Sequence, residues 1–121
     1  MKIISVVCAL MLSILIISGC AAKPGVYGNP LTETKVTTVG EISANADSFS
    51  GKAVRLEGEI VRECPAGGWF ILKDNTGTIY VDLHTAQIAI PQAVGHSVAA
   101  QGKVRKDGKL IFVLGEGVEL K

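Results

Sequence analysis

Residues 51–83 constrain the fold more than any other stretch, because apolar and polar side chains alternate along its first part. A period of two is typical of a strand that is buried on one face. The alternation therefore predicts a strand over residues 52–64. Gly58 interrupts the inward series without a side chain, so we expect a bend or a close backbone approach there. The residues predicted to face inward are Val54, Leu56, Gly58 and Ile60.

The second part of the same stretch predicts a hairpin. Residues 69–73 and 78–83 are rich in the β-branched and aromatic side chains that favour strands. Between them, residues 74–77 have the sequence Asp-Asn-Thr-Gly, which is typical of a tight turn. The alternation places Phe70 and Leu72 inside and Trp69, Ile71 and Lys73 outside, unless a bulge at Gly67 and Gly68 reverses the order.

The flanking segments complete an all-β domain over residues 36–121. Thr38 and Glu41 form a capping-box pattern, which predicts a short helix over residues 39–47 before the first strand. A fourth strand is expected over residues 96–105, with Gln101 among its outward residues. An Asp-Gly turn leads to a fifth strand over residues 110–114, which residues 118–120 extend. Five strands with a bent first strand predict a small Greek-key barrel.

This pattern resembles the OB-fold, in particular the small prokaryotic versions similar to the anticodon-binding, nucleic-acid-binding type. The resemblance covers about residues 38–120. It implies a five-stranded Greek-key OB-fold barrel, a fold that hosts oligonucleotide, oligosaccharide and protein binders. The residues that carry it are Gly51, Lys52, Val54, Leu56, Gly58 and Ile60, then Trp69, Phe70, Leu72, Asp74, Thr76, Gly77, Ile79 and Val81.

The first nineteen residues predict a lipoprotein signal peptide. Lys2 is followed by an apolar run over residues 3–17, which is shorter than the roughly 20 residues of a membrane span. The run ends in Ile-Ser-Gly-Cys, which resembles the bacterial lipobox. That resemblance implies cleavage before Cys20, lipidation of Cys20, and a mature protein anchored outside the cytoplasm of a prokaryotic cell. An ordinary signal peptide that happens to contain a cysteine is the alternative.

Residues 20–35 are expected to be the lipidated cysteine and a flexible tether, because they contain two Pro and two Gly and have no apolar period. Removal of Lys2 with the signal peptide leaves 11 basic residues of the original 12 against 11 acidic residues, so the mature chain is near neutral. Of the three cysteines, Cys64 remains without a partner for an intrachain disulfide.

OB-folds bind across their second and third strands and the adjacent loops, which selects a candidate ligand face. Core or edge packing is the alternative role of the two aromatic residues there. The candidate ligand-binding residues are Trp69, Tyr80, Lys73, Arg62, Arg105, Lys106 and Lys109.

No metal, cofactor or catalytic site is predicted. Cys64, His84 and His96 lack the paired short spacing that usually signals a zinc site. There is no Gly-rich phosphate loop after a strand and no nucleophile elbow. We therefore expect a non-enzyme.

Two functions are consistent with these features. The first is an adaptor of the cell envelope that binds a protein or an extended ligand through the barrel face. The alternative is binding of single-stranded nucleic acid, which the fold relatives and the aromatic residues near basic loops suggest. A near-neutral mature chain disfavours the alternative, because nucleic-acid binders usually carry an excess of positive charge.

Overall fold

The computed structural model describes residues 23–121. Within this range six strands and two short helices follow one another. Their bounds are β1 Gly25–Gly28, α1 Val39–Ala44, α2 Ala46–Phe49, β2 Ala53–Glu63, β3 Trp69–Asp74, β4 Gly77–Asp82, β5 Ser97–Asp107 and β6 Leu110–Leu120.

Five of the strands close into a barrel in the order β2, β3, β4, β6, β5 and back to β2. The β4–β6 pair is parallel and the other pairs are antiparallel. This closed, all-β, OB-like barrel with a short helical segment before its first strand confirms the predicted fold class. β1 is a sixth strand outside the closed ring, and it pairs with β6 beyond the point where β4 ends.

The predicted bend in the first strand of the barrel lies at Gly58. Residues 53–59 of β2 pair with β5, and from Glu59 onward β2 pairs with β3. A Cβ atom at Gly58 would collide with the carbonyl oxygen of Lys73 on β3. Glycine is therefore required here because the backbones of two strands approach each other closely.

The barrel interior is filled by its own side chains. Phe70 and Leu72 of β3 are fully buried, so the predicted orientation of that strand is confirmed. Val54, Leu56 and Ile60 of β2 also point inward, as the alternation predicts. These side chains belong to one continuous buried core, and the candidate binding surface lies on the outside of the barrel.

Helix α1 is fixed to the β3–β4 hairpin by its N-terminus. The Thr38 hydroxyl accepts a hydrogen bond from Glu41 N (3.1 Å), which confirms the capping role. Val39 N donates to Asp74 Oδ2 (2.8 Å), and Gly40 N donates to Thr76 Oγ1 (2.8 Å). The predicted helix over residues 39–47 is divided at Asn45, whose φ of −132° is not helical.

The prediction that residues 20–35 form a flexible tether is wrong from Gly25 onward. Gly25–Gly28 pair with residues 117–120 of β6, and the Tyr27 side chain packs against the core. Residues 29–37, called the strap below, then cross the outside of the barrel. Thr32 N and Glu33 N donate to Gln101 Oε1 (2.7 and 2.8 Å), and Thr37 N donates to the carbonyl oxygen of Arg55 (2.8 Å).

The strap also explains why Gln101 is only 8% exposed although it faces outward from β5. Its amide oxygen accepts hydrogen bonds from two backbone N–H groups, and its amide nitrogen donates a hydrogen bond to Thr32 Oγ1 (3.1 Å). The predicted outward orientation of Gln101 is therefore confirmed, and its burial comes from the strap that covers it. A buried amide with all these partners is stabilising rather than costly.

The predicted signal peptide and Cys20 lie outside the described residues. Between Lys23 and Lys121, none of the helices has the length and apolar character needed to cross a bilayer.

Candidate functional site

A group of aromatic and aliphatic side chains occupies the outside of the barrel at β3 and β4. Trp69, Ile71 and Tyr80 are half-buried and point away from the core, since their strand neighbours Phe70, Ile79 and Val81 point into it. The rings of Trp69 and Tyr80 stack with centroids 5.4 Å apart and an interplanar angle of 27°. The predicted placement of Trp69 and Tyr80 on one outer surface is confirmed.

The strand register produces this arrangement. Ile71 lies directly opposite Tyr80, and Trp69 lies opposite Asp82, so Trp69 and Tyr80 are diagonal neighbours within reach of each other. On the other side of β4, Tyr80 lies opposite Phe112 of the parallel strand β6. We call Trp69, Ile71, Tyr80 and Phe112 the aromatic face.

Sequence reasoning missed Phe112. The signal was present, because residues 110–114 are apolar at every position and only one of their two sides can face the core. Val113 is fully buried, so Phe112 points outward. Leu114 has the same outward phase and is also half-buried.

Three basic residues of the predicted site border the aromatic face. Ile71, Tyr80 and Phe112 form a row across β3, β4 and β6. Arg62 lies opposite Ile71 at one end of this row, and Arg105 lies opposite Phe112 at the other end. Lys73 lies on β3 two residues beyond Ile71. All three are exposed, and none makes an ion pair within residues 23–121.

The other two predicted basic residues are not on this face. Lys106 follows Arg105 on β5 and therefore points to the opposite side of the strand. Its Nζ lies 2.8 Å from Asp47 Oδ1 on α2, and this hydrogen bond and charge lower the pKa of Asp47. Lys109 lies in the two-residue turn between β5 and β6, at the exposed tip of that hairpin.

Acidic residues near the face hold the loops in place. Asp82 accepts hydrogen bonds from Thr85 N (3.3 Å) and Thr85 Oγ1 (2.7 Å), which fix the start of the loop after β4. Glu63 accepts from Ala93 N (2.8 Å) and holds the end of the same loop. Both carboxylates therefore have a structural role, since they hold the two ends of the loop after β4.

Tyr80 keeps its proton well above neutral pH. Burial raises the pKa of its phenol, and electrostatic interactions with Asp82 and Cys64 raise it further. A protonated phenol both donates and accepts hydrogen bonds. The aromatic face thus contains a polar group at its centre.

A shallow groove of ≈ 230 Å³ adjoins the aromatic face beside Leu114. Lys103 and Arg105 line one side of it, and Thr85 and Glu116 line another. Lys103 Nζ and Glu116 Oε1 are 4.0 Å apart, so this pair is loose and exposed. The groove extends the outer surface toward β5.

No constellation typical of a metal centre occurs within residues 23–121. Nowhere in that range do three or more His, Cys, Asp or Glu side chains come together to hold an ion. Cys64 is a half-buried free thiol in the turn before β3.

The barrel has a solved structural relative. The chain is similar to the hypothetical protein ygiW from E. coli, with 26% sequence identity and a TM-score of 0.53. The match covers 72% of this chain and 90% of ygiW. No protein-family model matches the chain, and no curated protein matches it. The likeness agrees with the OB-like barrel, and the relative's description names no activity or ligand.

Proposed function

We propose that this protein is a lipid-anchored, non-enzymatic binding module of the cell envelope, which docks a protein or another extended ligand on its aromatic face. The observation that carries the proposal is the position of that face. Trp69, Ile71, Tyr80 and Phe112 lie outside a filled barrel and do not pack against its core.

Clustered outward aromatic side chains favour a macromolecular partner. Trp and Tyr are enriched at the centres of protein interfaces, where they combine a large apolar area with a polar tip. The groove that adjoins the face has a volume of only ≈ 230 Å³, whereas sites for small molecules are usually larger concave clefts. An extended partner can cover Trp69, Ile71 and Tyr80 together, and Arg62 or Arg105 can contact its flanks.

The anchor half of the proposal rests on Cys20 and the lipobox-like residues before it. Replacement of Cys20 by Ser should leave an unlipidated precursor, because the thioether needs the cysteine sulfur. Intact-mass measurement of the membrane and soluble fractions tests this. A precursor can adhere through its uncleaved signal segment, so mass is read together with location. A Cys20→Ser protein that matures to the wild-type mass and remains on the membrane would show that the anchor is wrongly assigned.

The docking half is tested by site-specific photo-crosslinking in intact cells. A photoreactive phenylalanine analogue at Ile71 or Tyr80 should give discrete adducts, since both positions lie on the aromatic face. The matched control is Val36, which is 42% exposed but lies on the strap beside Arg55, where β2 pairs with β5 and not with β3. Adducts from Val36 with none from Ile71 or Tyr80 would place the docking surface elsewhere.

Binding of single-stranded nucleic acid is the alternative function. The stacked Trp69–Tyr80 pair and the exposed Arg62 and Arg105 favour it, because bases stack on aromatic rings and phosphates pair with arginine. The near-neutral mature chain and the engagement of Lys106 by Asp47 argue against it. A titration with single-stranded DNA or RNA, followed by Trp69 fluorescence, separates the two functions.

A further inference from the structure

We infer that one end of the barrel, formed by Gly25, Ser97 and Leu120, lies against the lipid surface, and that the module works there instead of at the end of a long tether. The inference rests on the lipid attachment of Cys20 in the proposed function. It goes beyond that attachment by assigning which part of the barrel meets the bilayer.

The first support is that the chain is already part of the barrel at Gly25. Gly25 pairs with Leu120, and the next three residues continue the same antiparallel ladder with β6. Asn29 N then donates to the carbonyl oxygen of Glu116 (2.9 Å). The barrel therefore cannot move away from Gly25 unless β1 detaches.

The strap strengthens this attachment. Gln101 binds the backbone of Thr32 and Glu33, and the Arg55 guanidinium donates to the carbonyl oxygen of Glu33 (3.3 Å). Val36 forms a parallel bridge with Arg55. Detachment of β1 and the strap would break these hydrogen bonds to the strap backbone and would expose the Tyr27 side chain. The arrangement in which β1 and the strap are bound to the barrel is therefore favoured.

The length of chain between the anchor and the barrel is the second support. From Cys20 to Gly25 the backbone spans at most about 18 Å when fully extended. If residues 21–35 were free, the limit would be roughly 50 Å. The docked β1 thus keeps the attached end of the barrel within a short distance of the headgroups.

The strand register shows which residues share that end. Leu120 pairs with both Gly25 and Val98, and Lys121 N donates to the carbonyl oxygen of Ser97 (3.1 Å). The β5–β6 turn lies at the other end of β6, about 33 Å from Leu120 along the strand. Lys23 is exposed beside Gly25, and a cation at this position suits the anionic headgroups of a membrane surface.

The inference is tested by energy transfer from a donor on the barrel to acceptor-labelled lipid headgroups. The lipidated protein is reconstituted into vesicles of phosphatidylethanolamine and phosphatidylglycerol, with Cys64→Ser and Ser97→Cys for single-site labelling. Ser97 is exposed, so the label is accessible. A second protein carries the label at Lys121→Cys instead, in case the first substitution disturbs β5.

Linker variants give the decisive comparison. Insertion of a 30-residue Gly/Ser linker between Ala22 and Lys23 adds an r.m.s. reach of roughly 30 Å, and we expect donor quenching to fall about two-fold or more. The matched control appends the same linker after Lys121 and should leave quenching unchanged. If quenching in the parent protein is already as weak as in the insertion variant at both label positions, the membrane-contact inference is wrong. Mass measurement of lipid on Cys20 in the same sample separates that failure from failure of the anchor itself.

Discussion

Gly58 shows how a single residue decides whether this barrel can close. It lies where β2 changes from β5 to β3 as its neighbour, and there is no space for a side chain against the carbonyl oxygen of Lys73. The obstacle is backbone and not the flexible end of a side chain, so it cannot move without loss of the β2–β3 pairing.

Replacement of Gly58 by Val should therefore lower the stability of residues 23–121 by about 1–3 kcal/mol, the usual cost of overpacking. The measurement is the melting temperature by circular dichroism. Glu59→Gln is the matched control, because Glu59 is exposed and its change should have almost no effect. Equal melting temperatures for Gly58→Val and the parent would contradict the close approach.

The alternation of apolar and polar residues predicted the bend at Gly58 and the inward positions of β2 and β3. It could do so because the local sequence of a half-buried strand determines which side chains face the core. It did not predict that Gln101 is buried or that Lys106 faces α2. Both depend on elements far away in sequence, the strap and Asp47. The sequence pattern of a strand carries no information on what covers its outer side.

Helix α1 and the β3–β4 hairpin are joined through one carboxylate. Asp74 Oδ1 accepts from Thr76 N (2.7 Å) and Gly77 N (3.1 Å) within the turn, and Oδ2 accepts from Val39 N at the start of α1. Burial raises the pKa of Asp74, but the hydrogen bonds from Thr76, Val39 and Gly77 outweigh it, and the pKa lies below its ordinary value.

A lowered pKa means that the ionised form stabilises the fold above the ordinary pKa of Asp, and that this stability is lost as the pH falls through the folded pKa. Asp74→Asn should cost about 0.5–2 kcal/mol at pH 7, as does loss of a helix cap. The difference from wild type should shrink below about pH 4. Thermal melts from pH 2 to 8 measure it.

Asp107→Asn is the matched control in the other hairpin, since Asp107 is exposed and no hydrogen bond or ion pair of its carboxylate occurs in the described part of the chain. A constant gap between Asp74→Asn and wild type across the whole pH range would rule out the ionised carboxylate as the stabilising form.

Among the elements, β1 could not be predicted from the sequence. The segment Gly-Val-Tyr-Gly has no apolar period and follows a Pro, so local rules assign it to a loop. It becomes a strand because β6 extends past the end of β4 and leaves an unpaired edge, which β1 covers.

At the scale of the whole molecule, charge separates the two candidate functions. The chain has 12 basic and 11 acidic residues and is near neutral, whereas non-specific affinity for nucleic acid comes mainly from an excess of phosphate-binding cations. Trp69 is the only tryptophan, so its fluorescence reports on the aromatic face alone.

Titration of residues 23–121 with single-stranded DNA or RNA at ~0.15 M salt should not change Trp69 fluorescence below about 10⁻⁴ M, the weak end of non-specific binding. Quenching at lower concentrations that falls steeply with added salt, and that Arg105→Glu abolishes, would make nucleic-acid binding the function. Lys35→Glu, on the exposed strap away from the aromatic face, is the control for the same change of two charge units.

The pairing of β1 with the C-terminal end of β6 also limits the order in which the strand pairs can form during folding. The β3–β4 and β5–β6 hairpins join residues close in sequence, but the Gly25–Leu120 ladder joins the first described strand to the last. Contacts between segments so distant along the chain form late and slow the folding reaction. The barrel therefore stays open, and its N-terminal segment stays undocked, until the last strand is available.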